Sequence, residues 1–460
     1  MKTPIRVDDM KDNRSYVRLV LTLAVCALLA VICMLTMKYV RKAAGSENDP
    51  DSEVSESQSI SVVDGISRSV SAVPSLEEGA ASNRSVDSGS SSVLEDIRNR
   101  DSQNCQNTSG QNDVEAVLQS LSLSQKICQM FFVTPEALTG TSQVIQAGAA
   151  TENAILSYPV GGLVYFEQNL KDPDQTRDML SGARTDYQKA GLPAPFLGVD
   201  EEGGSVARIA DNPAFGVRDV GDMRDVGAAG DPVGAQSAGA YIGAYLKNLG
   251  FNLDFAPVAD VLTNPDNQVV KRRSFGSDPA AVSQMVRAEA EALQNQGIVP
   301  VLKHFPGHGA TAADTHKGYA STDKTLDEML ASDLVPFADA VSCAPIIMAA
   351  HISAPNVTGD ETPASLSYVM ITEVLRERLG YQGVVITDAL NMGAIANEYS
   401  SGEAAIRAVQ AGDDVLLMPN DFHAAEEALL QAVENGELSE ERINESVRRI
   451  LTVKSKFGLM

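Results

Sequence analysis

The sequence predicts a (β/α)8 TIM-type barrel, an α/β fold in which eight parallel strands alternate with helices around a closed sheet. Three observations predict it. Eight short apolar runs rich in β-branched residues recur after Asp113, helix-like stretches separate most of them, and polar residues gather at the same end of successive runs.

The eight runs are Met130–Val133, Gly162–Phe166, Phe196–Val199, Leu253–Val258, Ile298–Leu302, Ile346–Ala350, Val384–Ile386 and Val415–Met418. Helices are expected over Asp174–Ala190, Pro232–Leu249, Pro279–Gln296, Leu326–Val341, Tyr368–Leu379, Glu403–Ala411, Phe422–Asn435 and Ser439–Phe457. Alternation of this kind makes βαβ units, and eight of them close a barrel rather than leave an open doubly wound sheet. In such barrels the reactive side chains stand at the C-terminal ends of the strands. Asp200-Glu201-Glu202-Gly203-Gly204 follows the third run, Asp260 the fourth, Lys303-His304 the fifth, His351 the sixth and Thr387-Asp388 the seventh. Any one of these could be an ordinary polar loop residue or helix cap. Five aligned at one end of successive strands point to a site.

The chain ahead of the barrel reads differently. Residues 1–18 are expected to be a short cytoplasmic N-terminus, and Leu19–Met37 a transmembrane signal-anchor. That run carries no charge over a length of roughly 28 Å, close to the hydrocarbon thickness of a bilayer. Lys38, Arg41 and Lys42 follow it directly, where a cleaved signal would end in small residues. Lys2, Arg6, Lys11, Arg14 and Arg18 before the run outnumber those after it, so the N-terminus is expected inside and the rest of the chain outside. Neither Cys26 nor Cys33 follows the small residue that lipid attachment needs. Residues 43–112 are rich in Ser, hold 12 acidic against 4 basic residues, and contain no aromatic. A segment of this composition buries too little apolar surface to offset its ordering entropy, so it is expected to be a disordered tether. The barrel is expected over residues 113–460.

Charge and cysteine usage exclude several classes. With 36 Lys+Arg against 61 Asp+Glu, the net charge of -25 disfavours nucleic acid as a partner. Trp is absent, which argues against a surface of aromatic platforms for sugars but leaves hydrogen-bonded recognition open. The five cysteines form no zinc or redox spacing; Cys128 and Cys343 read as free core thiols, with a Cys105–Cys128 pair as the alternative. No partner protein is implied.

The densest chemistry lies in Lys303-His304-Phe305-Pro306-Gly307-His308-Gly309 with Asp314-Thr315-His316, where three of the chain's five histidines fall. His304 and His308 have the spacing of a helical metal pair. Pro306 and Gly307 between them break such a helix, and neither a ligand Glu nor a Cys accompanies them, so no metal or other cofactor is expected.

Together with Gly198-Val199-Asp200-Glu201-Glu202-Gly203-Gly204-Ser205-Val206-Ala207-Arg208, Arg273-Ser274-Phe275-Gly276 and Ile386-Thr387-Asp388-Ala389-Leu390-Asn391-Met392, this block resembles glycoside hydrolase family 3, in particular its single-domain β-N-acetylglucosaminidases. The resemblance runs from about Asp113 to Met460. It implies a retaining hydrolase acting on carbohydrate, with Asp388 as nucleophile, His316 as acid/base and Asp314 orienting the imidazole. It further implies that Asp200, Arg208, Arg273, Lys303 and His304 bind the sugar. Only about forty residues follow the eighth run, too few for the second domain that supplies a carboxylate acid/base in many relatives, and this favours His316. The chain departs from the family pattern at Ser205 (usually Arg), Glu201 (usually Gln or His), Lys271-Arg272 (commonly Gly-Asp or Gly-Asn) and Ala389 (frequently Asp). None removes a catalytic group. A phosphorylase using phosphate in place of water, a β-glucosidase-type hydrolase and an inactive membrane-tethered sugar-binding module are the competing readings. The joint presence of Asp388, Asp314 and His316 speaks against the last.

Overall fold

The computed structural model describes residues 108–311 and 320–460; the expected anchor, most of the expected tether, Asp314 and His316 lie outside the described residues. Each expected run holds a strand. They are β1 (Phe131–Val133), β2 (Gly162–Val164), β3 (Phe196–Val199), β4 (Leu253–Asp254), β5 (Val299–Phe305), β6 (Ile346–Ala349), β7 (Val384–Thr387) and β8 (Leu416–Leu417). All pair in parallel, in the order β7-β6-β5-β4-β3-β2-β1-β8. A bridge between Ile386 and Val415 joins the two outer strands and closes the barrel.

Strands buried on both faces require continuous apolar sequence, and β1, β2, β3 and β7 are buried at every residue. The closing seam has its own polar anchor. Asp414, just before β8, accepts Val385 N–H at 3.0 Å, Arg376 at 2.7 Å, Arg449 at 2.9 Å and the Ser446 hydroxyl at 2.7 Å. A buried carboxylate so surrounded offsets its desolvation and fixes where β7 meets β8.

Asp-Pro pairs start three of the outer helices. Asp172, Asp231 and Asp278 cap Pro173–Lys189, Pro232–Leu249 and Pro279–Asn295, each carboxylate accepting a first-turn N–H while the proline at the first position has none to satisfy. Three helical expectations need correction. Leu326–Val341 is two helices, Leu326–Leu330 and Val335–Ala340, because Pro336 cannot donate to Ser332 and the intervening Asp333 turns inward to pair with Lys324. Val369–Arg378 has wide π-helical turns, and its Thr372 and Arg376 reach the carbonyls of Ala411 and Gly412. Between β1 and β2, where no helix was expected, Thr134 caps Pro135–Thr139 and a second short helix spans Ala149–Ser157. Cys128 is a buried free thiol and Cys343 a half-buried one.

Backbone crowding shapes the loop that leaves β5. A Cβ on Gly309 would stand 1.9 Å from the carbonyl oxygen of Val261, and one on Gly307, at φ +123, would stand 2.6 Å from the Asp333 Cβ. Asn267 locks the same loop from the far side, donating to the carbonyls of His308 at 2.8 Å and Thr311 at 3.0 Å. Gly309→Ala should therefore lower stability by roughly 2–4 kcal/mol in urea unfolding, since backbone rather than a flexible side chain must move. Gly359→Ala, with a φ of +83 but open space around it, should cost only about 1 kcal/mol.

Candidate active site

At the C-terminal ends of the strands lies a pocket of about 310 Å3, lined by Asp200, Glu202, Arg208, Arg273, Lys303, His304 and Asp388 together with apolar residues that include Phe166, Phe255, Met348, Met392 and Met418. Six of the eight residues expected at the site are thus brought together from β3, β5, β7 and the loops after β3 and β4; the other two, Asp314 and His316, lie outside the described residues. A larger cavity of about 840 Å3, between the segment 358–369 and the helix Ser401–Ala411, contains none of them.

The charged wall is one connected network. Lys303, nearly fully buried, reaches Asp200 at 2.8 Å and Glu202 at 2.6 Å. Glu202 in turn receives both Nε and Nη2 of Arg273 at 2.7 Å, a two-pronged pairing that fixes the guanidinium plane. Arg273 Nη2 lies 3.3 Å from His304 Nε2, and His304 Nδ1 lies 2.7 Å from Asp260 Oδ2. Because a guanidinium only donates and a carboxylate only accepts, the proton sits on Nδ1 and Nε2 is the acceptor. Asp260 also accepts the backbone N–H of His308 at 2.6 Å, so one buried carboxylate holds the His304 ring and the main chain at His308. The rings of His304 and His308 lie 5.9 Å apart at 73° and do not converge on a common point.

Ionisation follows from this pairing. Burial pushes the Glu202 carboxyl upward, but Arg273 and Lys303 outweigh it and hold it well below the usual carboxylate range. Lys303 is pulled down by burial and raised more by Asp200 and Glu202, so it keeps its charge. Asp388 follows the same pattern: burial raises it, while His351, His304, the Ala389 N–H at 2.8 Å and Lys303 together bring it below the ordinary aspartate value. The pocket therefore holds an ionised Asp388 together with a network of fixed charged donors and acceptors. Arg208 is held differently, pairing with Glu167 at 3.0 Å with its guanidinium 5.9 Å from the Phe166 ring.

The sequence profile of the Glycosyl hydrolase family 3 N terminal domain matches residues 122–453. The chain belongs to that family. Beta-hexosaminidase A of Pseudoalteromonas piscicida is 36% identical over 328 residues, 66% of this chain and 54% of that one. Beta-hexosaminidase LpqI of Mycobacterium tuberculosis is also 36% identical, covering 67% of this chain and 79% of its own. Among solved structures, a glycoside hydrolase family 3 beta-N-acetylglucosaminidase from Paenibacillus sp. str. FPU-7 superposes with a TM-score of 0.69 at 35% identity, over 74% of this chain and 63% of that one. The chain thus spans little more than half of the first relative and under two thirds of the last.

Two residues of this charged network were named in the sequence reading but not among the expected site residues, Glu202 and Asp260. For Glu202 a signal existed: side chains alternate along an extended segment, so Glu202 shares a face with Asp200. Asp260 carried only its place after β4. Met418, at φ +47, is the one non-glycine residue with positive φ among the described residues, and no sequence pattern announces it.

Beneath the charged wall three further carboxyls are buried: Glu201, Asp254 and Glu289. Burial pushes Glu201 up to about 7 and Glu289 up to about 8, and raises Asp254 well above its ordinary value. A folded pKa above the unfolded one means that the folded protein binds more protons between the two. Stability should therefore be greatest near pH 5 and fall as pH rises through about 7 to 8. Glu289→Gln should flatten this slope and raise the melting temperature at about pH 8 by roughly 2–4 °C, measured by differential scanning calorimetry.

Proposed function

We propose that the chain is an exo-acting, retaining β-N-acetylglucosaminidase that forms a covalent glycosyl-enzyme on Asp388. The observation that carries this reading is the Asp388 carboxylate, held ionised in a pocket that also presents a preformed network of hydrogen-bonding groups. In the first step an Asp388 oxygen attacks the anomeric carbon while the glycosidic oxygen leaves with a proton from His316. In the second, His316 takes a proton from water, whose oxygen attacks the same carbon and releases Asp388. Asp314 orients the imidazole and stabilises its charged form. Lys303, Arg208 and Arg273 donate to sugar hydroxyls, Asp200 accepts from them, and His304, its Nε2 engaged by Arg273, borders the same sugar. Family membership and similarity to proteins named beta-hexosaminidase support the reaction class.

Asp388→Ala should leave the melting temperature within a few degrees of wild type and lower kcat by at least about 10^4, because no glycosyl-enzyme forms. A 2-deoxy-2-fluoro or 5-fluoro sugar should label Asp388 in peptide mass mapping; label on Asp260 instead overturns the assignment. For His316→Ala, turnover of poor leaving groups should fall about a hundredfold more than that of 4-nitrophenyl glycosides, which leave without a proton. Equal losses on both would remove His316 from the donor role.

The proposal extends to place. With residues 19–37 as an uncleaved single-pass anchor and 43–112 as a tether, the catalytic domain would sit outside the cell membrane with a typical reach of roughly 45 Å. Peptidoglycan fragments ending in β-linked N-acetylglucosamine would then be the substrate, with chitin oligosaccharides as the alternative. Protease added to intact protoplasts should release the catalytic domain. Protection until lysis would reverse the topology and exclude a wall substrate.

A further inference from the structure

Glu201 is wholly buried between two residues of the pocket, Asp200 and Glu202, yet its own side chain turns away from them. It begins the short antiparallel hairpin Glu201–Gly203 with Val206–Ala207, in which Glu201 faces Ala207. Its carboxylate then grips the chain just beyond Arg208. Oε2 accepts the Ile209 N–H at 2.7 Å and Oε1 accepts the Ala210 N–H at 2.9 Å. From the helix Pro232–Leu249, the Tyr245 hydroxyl donates to Oε1 at 2.6 Å. Arg208 itself donates its N–H to the Asp200 carbonyl at 3.4 Å, which closes the loop back onto the strand end. One residue thus ties the segment bearing Arg208 to the strand end bearing Asp200.

We infer that Glu201 is a positioning residue for Arg208: its ionised carboxylate holds residues 208–210 against the end of β3, and protonation loosens that grip, so that sugar binding through Arg208 weakens as pH falls. This rests on the reading of Arg208 as a sugar contact. Three donors converge on the two oxygens, and bonds to a charged acceptor are about twice as strong as neutral ones. A proton on the carboxyl removes that assistance from both backbone bonds. On Oε1 that proton also makes the Tyr245 hydroxyl turn round and accept, leaving its own hydrogen without a partner in a buried place, and on Oε2 it opposes the Ile209 N–H.

The surroundings keep the two states close in free energy. Asp254 on β4 accepts the Glu201 backbone N–H at 3.0 Å, and the charge of Glu201 helps to keep the Asp254 carboxyl protonated. Asp211 adds repulsion from the same loop, Glu289 faces Asp254 from the helix Pro279–Asn295, Lys303 attracts Asp254 from β5, and Tyr241 stacks edge-on against Tyr245 at 5.4 Å. No cation reaches Glu201 among these neighbours. With burial pushing its carboxyl up to about 7, the clamp titrates where an enzyme works.

The test is KM and kcat for 4-nitrophenyl β-N-acetylglucosaminide over about pH 5.5 to 8.5, for wild type, E201Q, Y245F, R208A and the double variant E201Q/R208A. In wild type, KM should rise about fivefold below about pH 7, the worth of one weakened hydrogen-bonding grip, with a smaller change in kcat. E201Q should show the raised KM at all pH values, without that component of the acid limb. Y245F keeps the carboxyl but loses a donor, so its limb should move to higher pH. In the R208A background, E201Q should raise KM no further. The inference is overturned if E201Q keeps the acid limb, or if the E201Q and R208A effects on KM multiply. If R208A alone leaves KM unchanged, Arg208 is no sugar contact, and both that assignment and this inference fall. Melting curves report whether E201Q folds; should it not, an unmoved limb in Y245F is the overturning result.

Discussion

The site depends on the buried ammonium of Lys303. It stands at the end of β5 with Asp200 on one side and Glu202 on the other, both from the end of β3. An unpaired ammonium there would cost several kcal/mol, and two unpaired carboxylates more. Paired, each group holds the other ionised and in place, and Arg273 extends the arrangement across the loop after β4. Strand ends that share no direct backbone bond are thus coupled through side chains as well as through β4 between them. The pocket wall is therefore held rigid by its own pairs, which is the condition for stabilising charge without reorganisation.

Outside that network the same acidic chemistry runs in the opposite direction. Glu201, Asp254 and Glu289 are buried without a paired cation, and their protons are retained to unusually high pH. Burial is common to both sets; the difference is the pair of cations, Lys303 and Arg273, that face Glu202. Side-chain alternation along residues 200–202 puts Asp200 and Glu202 toward these cations and Glu201 away from them. A single step along the chain thus separates a permanently charged carboxylate from one that titrates near neutrality. The protein carries a cost in stability at high pH on one face of this segment and an ionised binding wall on the other.

The loop between β5 and its following helix shows how far packing constrains the site. Gly307 and Gly309 tolerate no side chain because Asp333 and the Val261 carbonyl already occupy the space. Asn264 and Asn267 bond the carbonyl of Thr311, and Asn267 that of His308, while beyond residue 319 the chain re-enters as Ala320–Ser321, paired in parallel with Ile352–Ser353 directly after His351. The described ends of the segment that carries Asp314 and His316 are therefore each fixed to neighbours of pocket residues. His351 joins the β6 and β7 ends, its ring meeting Ser365 at 2.7 Å and the Ala389 carbonyl at 3.0 Å.

The sequence by itself determined the barrel, because a strand buried on both faces must be written as an unbroken apolar run and an outer helix as a capped, longer one. All eight runs and most helices were legible for that reason, as were Asp200, Lys303, His304 and Asp388 at the ends of their strands. Arg208 and Arg273, which lie in loops, were legible only through the motifs that surround them. Tertiary structure alone decided the partners. That Glu202 belongs to Arg273 and Lys303 and that Asp260 holds the His304 ring and the His308 N–H are contacts between residues dozens of positions apart, while Glu201 holds the loop of Arg208 only eight or nine positions further on. Their meaning lies in distance and burial, which set whether a carboxylate is charged, and neither is written in a residue's identity or in its neighbours along the chain.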